Sequence, residues 1–319
     1  MTGGGPTLLC TDTVVERFGD RIALAAPGLD IVTLRGRDAL PDDELERVEL
    51  AFFSGDTYPE RSALFMGTAV RTPNLRWLHT FSAGTDHPIF TSLRDRGVRV
   101  TTSSGASATP IARTVMMYLL ALSRDLPGQL RHQAAHQWAP RDYDDIGGQT
   151  IGVVGMGPIG LEVIRLAEGL GMHPIGMRRA VAGDEPCETW TIDRVAELAR
   201  LVDVLVLALP LTDDTRGIVS AAVLEGMKPG ARLVNVGRGD LVDEPALVRA
   251  LAGGHLGGAG LDVFTTEPLP ADSPLWDLPN VIITPHSSAL TAASGAGAVE
   301  IFLDNLARYV RGEPLRNER

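Results

Sequence analysis

Arg238, Glu267 and His286 stand in three short segments, each directly after an apolar run: Asn235-Val236-Gly237-Arg238-Gly239, Asp262 through Glu267-Pro268-Leu269-Pro270, and Thr284-Pro285-His286-Ser287-Ser288. A guanidinium, a carboxylate and an imidazole suit the reduction of a 2-keto acid. That reaction needs a fixed cation to hold the substrate carboxylate and polarise the ketone, and Arg238 can do both. It also needs a proton for the developing alkoxide, and histidine titrates near neutral pH. Glu267, bonded to the imidazole, would orient His286. Singly, each residue has a plain structural reading, because a histidine after Thr-Pro is commonly packed in a loop and a glutamate before proline is commonly solvated. Their shared placement after apolar runs is what favours a site.

A second pattern supplies a partner for that chemistry. Gly155-Met156-Gly157-Pro158-Ile159-Gly160 follows the apolar run Thr150–Val154 and opens a helical stretch. Strand, tight turn and helix form the context in which this glycine spacing binds a dinucleotide. The first glycine permits the turn, the second admits a pyrophosphate to the backbone, and the third packs helix on strand. The helix N-terminus offers amide donors to the phosphates. The next strand, His173–Met177, runs into Arg178-Arg179, where an acidic residue normally accepts from the adenosine ribose. Two guanidinium groups there suit a 2′-phosphate, so NADP is expected in preference to NAD.

The elements that must carry these residues are legible in the hydropathy pattern. From residue 150 onward the continuous apolar runs Thr150–Val154, Asp203–Leu209, Arg232–Val236, Gly260–Phe264 and Val281–Thr284 alternate with amphipathic stretches. Continuous runs mark strands buried on both faces of a parallel sheet. Asp243 followed by Pro245 starts a helix, and Gly253-Gly254 ends it. The first hundred residues repeat the theme, with expected strands at Leu8–Thr11, Ile31–Leu34, Ala51–Phe53, Trp77–Phe81 and Val98–Thr101, and helices near Thr13–Phe18, Asp42–Arg47, Pro59–Val70 and Ile89–Arg96. The expected fold is α/β, with two doubly wound parallel-sheet domains: a Rossmann-type nucleotide domain over 107–287, and a smaller flavodoxin-like substrate domain over 1–106 and 288–319. Two long helices, Ala108–Ser123 and Thr291–Val310, are expected to join them.

Bulk properties narrow the partners. With 29 bases against 40 acids the net charge is −11, which argues against nucleic acid or an anionic membrane. No apolar run reaches the roughly 20 residues of a membrane helix, and no basic-then-apolar leader is seen, so a cytoplasmic location is expected. Cys10 and Cys187 belong to no metal-ligand spacing, and no metal is expected.

These segments together, with Phe81-Ser82-Ala83-Gly84-Thr85-Asp86 and Pro210-Leu211-Thr212 through Thr215-Arg216-Gly217, resemble the D-isomer-specific 2-hydroxyacid dehydrogenases, in particular those reducing glyoxylate and hydroxypyruvate. The resemblance spans nearly the whole chain and is strongest from Trp138 to His286. It implies that Arg238 binds substrate, Glu267 assists and His286 is the acid/base, with the backbone of Ser82, Ala83 and Gly84 holding the substrate carboxylate as an anion nest. It implies that Leu209, Pro210, Thr215, Val236, Gly237, Asp262 and Ser288 line the cofactor beside the glycine turn. It also implies a homodimer formed through the nucleotide domain, and a cleft that closes on a small 2-keto or 2-hydroxy acid. The chain departs from the family pattern at Arg113, where an acidic residue is common; at Arg178, in place of the ribose-binding aspartate; and after His286, where Ser-Ser-Ala-Leu-Thr replaces a more glycine-containing segment. Rival readings are a nucleotide-sensing regulatory protein on the same fold and a phosphoglycerate-type dehydrogenase, with formate or phosphite oxidation further off.

Overall fold

The computed structural model describes residues 5–319, which form two compact units. One takes the chain up to Ser107 together with Leu290–Arg319, and the other spans Ala108–Ala289.

In the first unit the strands are Thr7–Thr11 (β1), Asp30–Leu34 (β2), Leu50–Phe53 (β3), Trp77–Thr80 (β4) and Arg99–Thr102 (β5). They pair in parallel in the order β2-β1-β3-β4-β5, the flavodoxin-like arrangement. β1, β3 and β4 are buried at every position, which is why they read as unbroken apolar runs. The helix Asp12–Ala25, capped by the Thr11 hydroxyl accepting from the Val14 amide at 3.3 Å, is twice the length expected from sequence. Val14 and Ile22 lie on its buried face, whereas exposed Asp20 and Arg21 break the apolar period that would have revealed its second half. The helix Ala292–Val310 belongs to this unit, where Phe302 stacks on Phe52 of β3 with ring centroids 4.0 Å apart.

The second unit holds Thr150–Val154 (β6), His173–Arg178 (β7), Glu188–Thr191 (β8), Val204–Leu207 (β9), Arg232–Asn235 (β10), Gly258–Leu261 (β11) and Val281–Ile283 (β12). Their order, β12-β11-β10-β9-β6-β7-β8, reverses between β6 and β9, as in a doubly wound dinucleotide fold. The helix Ala108–Ser123 lies in this unit, with Val115, Tyr118 and Leu119 in its core. Two strands differ from expectation. β8 carries the sequence Glu-Thr-Trp-Thr at the sheet edge, half-buried, so no apolar run announced it. β11 begins and ends earlier than Gly260–Phe264, because beyond Leu261 the chain turns away: the Phe264 amide donates to the Glu267 carboxylate at 3.0 Å rather than to a neighbouring strand.

Within β4, His79 is enclosed by Trp77, Phe52 and Phe302. Its Nδ1 meets the Thr101 hydroxyl at 2.7 Å and its Nε2 the Ser103 hydroxyl at 3.0 Å. Burial pushes its pKa from 6.5 down to about 3. An unfolded chain takes up a proton near 6.5 that the folded chain refuses, so the stability His79 confers is complete above that pH and is lost as pH falls toward 3. The slope is at most about 1.4 kcal/mol per pH unit. In melting scans from pH 7.5 to 4.5, His79→Gln should therefore lose melting temperature less steeply than the parent; parallel curves would show that His79 is not the group responsible.

Candidate functional site

In the second unit β10, β11 and β12 are in register, with Asn235 paired to Leu261 and Leu261 to Ile283. The segments carrying Arg238, Glu267 and His286 therefore leave the same end of three adjacent strands, the carboxyl end, where doubly wound sheets hold ligands.

Each side chain is fixed by its own turn. After β10, the buried Asn235 side chain accepts from the Gly237 amide at 3.0 Å and donates to the Arg238 carbonyl at 2.8 Å, closing the turn that presents Arg238. Arg238 Nη1 donates to the Gly237 carbonyl at 2.7 Å. Beyond β11, Glu267 Oε1 accepts from the Phe264 amide, and the Thr265 amide donates to Glu244 Oε2 at 3.0 Å. The Glu267–Pro268 peptide is cis. Oε2 of Glu267 is left to pair with His286 Nδ1 at 2.7 Å. With Nδ1–H donated to the carboxylate, Nε2 is the imidazole atom left to exchange a proton with a substrate.

His286 sits at φ 49°, a left-handed conformation uncommon outside glycine. Asp262 holds it there. The Asp262 carbonyl accepts from the His286 amide at 2.8 Å. Its carboxylate, 1% exposed with its residue, accepts from the Ser287 amide at 2.9 Å, the Ser288 amide at 3.1 Å, and the hydroxyls of Thr284 and Ser288. Thr284 in turn meets the Tyr118 hydroxyl, and burial beside this cluster pushes the Tyr118 pKa up to about 12.

The glycine turn fits a dinucleotide. Gly155 has φ 103°, and a Cβ there would lie 2.6 Å from the Ala208 carbonyl oxygen at the end of β9. A Cβ on Gly160 would lie 1.8 Å from the Gly155 carbonyl oxygen, so the helix Pro158–Gly169 starts hard against the turn. At Gly157, the N-cap, an added Cβ would meet nothing within 4 Å, and no side chain caps the helix. Its first amides are thus open to an anion at the sheet's switch point.

The remaining candidates fall into two groups. Leu209, Val236 and Ser288 are buried and floor the region, and buried Thr215 closes the 210–215 loop, its hydroxyl donating to the Pro210 carbonyl at 2.9 Å. Met156 turns inward, where a Cβ on Gly176 would lie 2.4 Å from its sulfur, so only its backbone faces the turn. Arg178 ends β7 with its side chain 42% exposed, and Arg179 is exposed beside it. Sequence inspection missed Glu185, which pairs with Arg178 Nη1 at 3.0 Å from across a loop. In the first unit, the Ser82 amide donates to the Thr80 hydroxyl at 3.2 Å and the Ser82 hydroxyl to the Gly84 carbonyl at 2.9 Å. The amides of Ala83 and Gly84 remain as donors without a partner among the described residues. Arg113 is exposed on the helix Ala108–Ser123 and its charge helps hold the Glu162 carboxyl below its usual range, chiefly the work of Arg165.

Comparison with known proteins bears on the family and the fold. Residues 116–288 match the family described as D-isomer specific 2-hydroxyacid dehydrogenase, NAD binding domain. A glyoxylate/hydroxypyruvate reductase B from Pectobacterium carotovorum is 36% identical over 253 residues, 77% of this chain and 79% of that protein. The chain belongs to the D-2-hydroxyacid dehydrogenase family. A family member from Xanthobacter autotrophicus, solved with NADPH and MES, superposes with a TM-score of 0.81 at 29% identity, covering 99% of this chain and 98% of that one. An NADPH-dependent glyoxylate/hydroxypyruvate reductase from Sinorhizobium meliloti, solved with NADP and sulfate, gives 0.77 at 28% identity and 98% of each chain. This dehydrogenase is an NAD(P)-dependent oxidoreductase with an NAD(P)-binding domain. No helix among its described residues is long and apolar enough to cross a membrane.

The turns after β10 and β11 meet at Gly239, where an added Cβ would lie 1.9 Å from the Phe264 carbonyl carbon. Gly239→Ala should force the Arg238 and Glu267 turns apart, costing about 1–3 kcal/mol of stability, and turnover should fall with it. A melting temperature and turnover equal to the parent's would mean that the close approach is not needed.

Proposed function

We propose that the protein is an NADPH-preferring cytoplasmic reductase of glyoxylate, hydroxypyruvate or a related short 2-keto acid, forming the D-2-hydroxy acid. The observation that carries this reading is the Glu267–His286 pair at 2.7 Å on strand ends in register with the Arg238 turn. The two reductases cited above, one of them NADPH-dependent, support the substrate class.

When bound, the nicotinamide supplies the hydride to the ketone carbon. Arg238 holds the substrate carboxylate and draws electron density toward the ketone oxygen. The amides of Ala83 and Gly84, in the first unit, suit binding of a carboxylate as an anion nest. His286 gives the proton on Nε2 to the oxygen as hydride reaches the carbon, so the product leaves as the neutral alcohol rather than an alkoxide. Glu267 keeps the ring oriented with Nδ1–H toward itself, which leaves Nε2 facing the proton transfer. Gly155–Gly160 and the helix behind them hold the pyrophosphate, and Arg178 with Arg179 holds the 2′-phosphate. Asp262, through its bonds to Ser287 and Ser288, fixes the turn that would line the nicotinamide.

A homodimer completes the reading. Trp138 is 96% exposed, and Leu126 and Leu130 on the helix Leu126–Ala134 are 44% and 54% exposed. Exposed large apolar side chains this near one another in sequence suit an association surface, and a second copy of this chain is its occupant. Trp138→Ser combined with Leu130→Ser should convert a dimer to a monomer in light scattering behind size exclusion. A monomeric parent protein would end the dimer reading.

The activity is tested by following absorbance at 340 nm with glyoxylate or hydroxypyruvate and either NADPH or NADH. Faster oxidation of NADPH is expected, and His286→Ala should cut turnover ~10²–10⁴-fold while leaving cofactor binding near the parent value. Near-normal turnover in that variant would remove His286 from the mechanism. No turnover of any short 2-keto acid, with cofactor bound, would favour a regulatory role.

A further inference from the structure

The loop between β7 and β8 carries an acid whose place is defined by three donors. Glu185 Oε1 accepts from the Ala182 amide at 2.6 Å and from Arg178 Nη1 at 3.0 Å, and Oε2 accepts from the Gly183 amide at 2.8 Å. Its side chain is 5% exposed, against 42% for Arg178. The two amides, ahead of Arg178, hold the Glu185 carboxyl below its usual range, so it is an anion at neutral pH. A carboxylate bonded this way does not follow the guanidinium when a ligand arrives, because leaving would abandon two backbone donors. Arg178 therefore meets any incoming phosphate with one N–H already engaged and a fixed negative charge on its far side.

We propose that Glu185 is a specificity-determining residue that restrains the 2′-phosphate selectivity of the cofactor site. The inference rests on the reading of Arg178 and Arg179 as the 2′-phosphate site. Glu185 acts in two opposed ways. Its bond to Nη1 fixes the plane of the guanidinium and points the remaining N–H groups outward, which favours a bidentate contact. Its charge repels the phosphate dianion, which a 2′-hydroxyl does not feel. NADH is thus bound without penalty, while NADPH gains less from the arginines than two unopposed guanidinium groups would give. Arg179, exposed and in no ion pair among the described residues, supplies the part of the attraction that Glu185 does not offset. The outcome is a site that takes both cofactors with a moderate lean toward NADPH, set by one charge at the loop rather than by the strand end.

The test is direct binding of NADPH, NADH, 2′,5′-ADP and 5′-AMP to the full chain by titration calorimetry, with melting scans as a check on folding. Glu185→Gln keeps the side-chain length and an acceptor for the loop but removes the charge. It should tighten NADPH and 2′,5′-ADP by roughly three- to ten-fold, the size expected from deleting one partly screened like charge, and leave NADH and 5′-AMP where they were. Glu185→Asp, which keeps the charge and disturbs the same loop, should not tighten either phosphate ligand. If Glu185→Gln leaves NADPH unchanged, or weakens both cofactors alike, Glu185 is only a loop brace and the inference is overturned; tightening in Glu185→Asp as well would overturn it too, by assigning the effect to loop relaxation. Arg178→Ala separates the two levels. If it weakens NADPH but not NADH while Glu185→Gln does nothing, the arginine site stands and the restraint falls. If it changes neither cofactor, the arginine site itself falls and takes this inference with it.

Discussion

A carboxylate enclosed in a parallel sheet must be surrounded by donors or it will not stay charged and buried. Asp262 meets that condition entirely from the turn that carries His286: two amides and two hydroxyls point at its oxygens, and its carbonyl takes the histidine amide. The direction of dependence matters. Asp262 follows β11 without a break, so its position is set by the ladder to β10 and β12. The turn wraps around a point that the sheet has already fixed. That wrapping is what compensates a histidine backbone at φ 49°, an arrangement that costs about 1–3 kcal/mol unless its surroundings enforce it. The imidazole is consequently presented by the sheet rather than by a loop free to choose its own conformation.

The same economy of space governs the neighbouring turns. Glycine recurs where two backbones must approach more closely than any side chain permits: Gly155 against Ala208, Gly160 against Gly155, and Gly239 against Phe264. Gly260 of β11 lies under the Tyr118 ring, where a Cβ would come within 2.5 Å of Cγ. That contact lets the helix Ala108–Ser123 pack closely against the sheet through its buried face and carry the Tyr118 hydroxyl to Thr284, one of the groups bonded to Asp262. Packing on one face of the sheet and the geometry of the histidine turn at its end are therefore parts of one network.

What could be read from the sequence follows from this division. Fully buried strands such as Val204–Leu207 and Arg232–Asn235 appear as apolar runs, and the residues after them stand out as polar groups at strand ends. That is why Arg238, Glu267 and His286 were visible together, and why both sheets were. β8 was not visible, because an edge strand of Glu-Thr-Trp-Thr has no enclosed face to mark it. Glu185 was invisible for another reason. Its seven-residue separation from Arg178 belongs to no periodic element, and the bond exists only because the loop doubles back on its own amides at Ala182 and Gly183. Met156 is a residue inside a recognised motif whose side chain faces the core, since the motif constrains the backbone and not the direction of that side chain. Asn235 did carry a signal, as an amide at the end of a buried strand must find partners, and it finds them in the Arg238 turn.

The placement of these groups also separates two properties of the enzyme. Arg238, Glu267 and His286 follow β10, β11 and β12, on one side of the point where strand order reverses, whereas Arg178 and Arg179 stand at the end of β7, on the other side. The first set is interlocked through Asp262, Asn235 and Gly239, so a change in any member is felt by the others. The second set is one strand end and one loop, joined to each other by the Arg178–Glu185 ion pair. Charge can be added, removed or countered there without moving the imidazole. A sheet built this way keeps the interlocked turns apart from the exposed charges at the end of β7, where Arg178 stands with Glu185 paired to it.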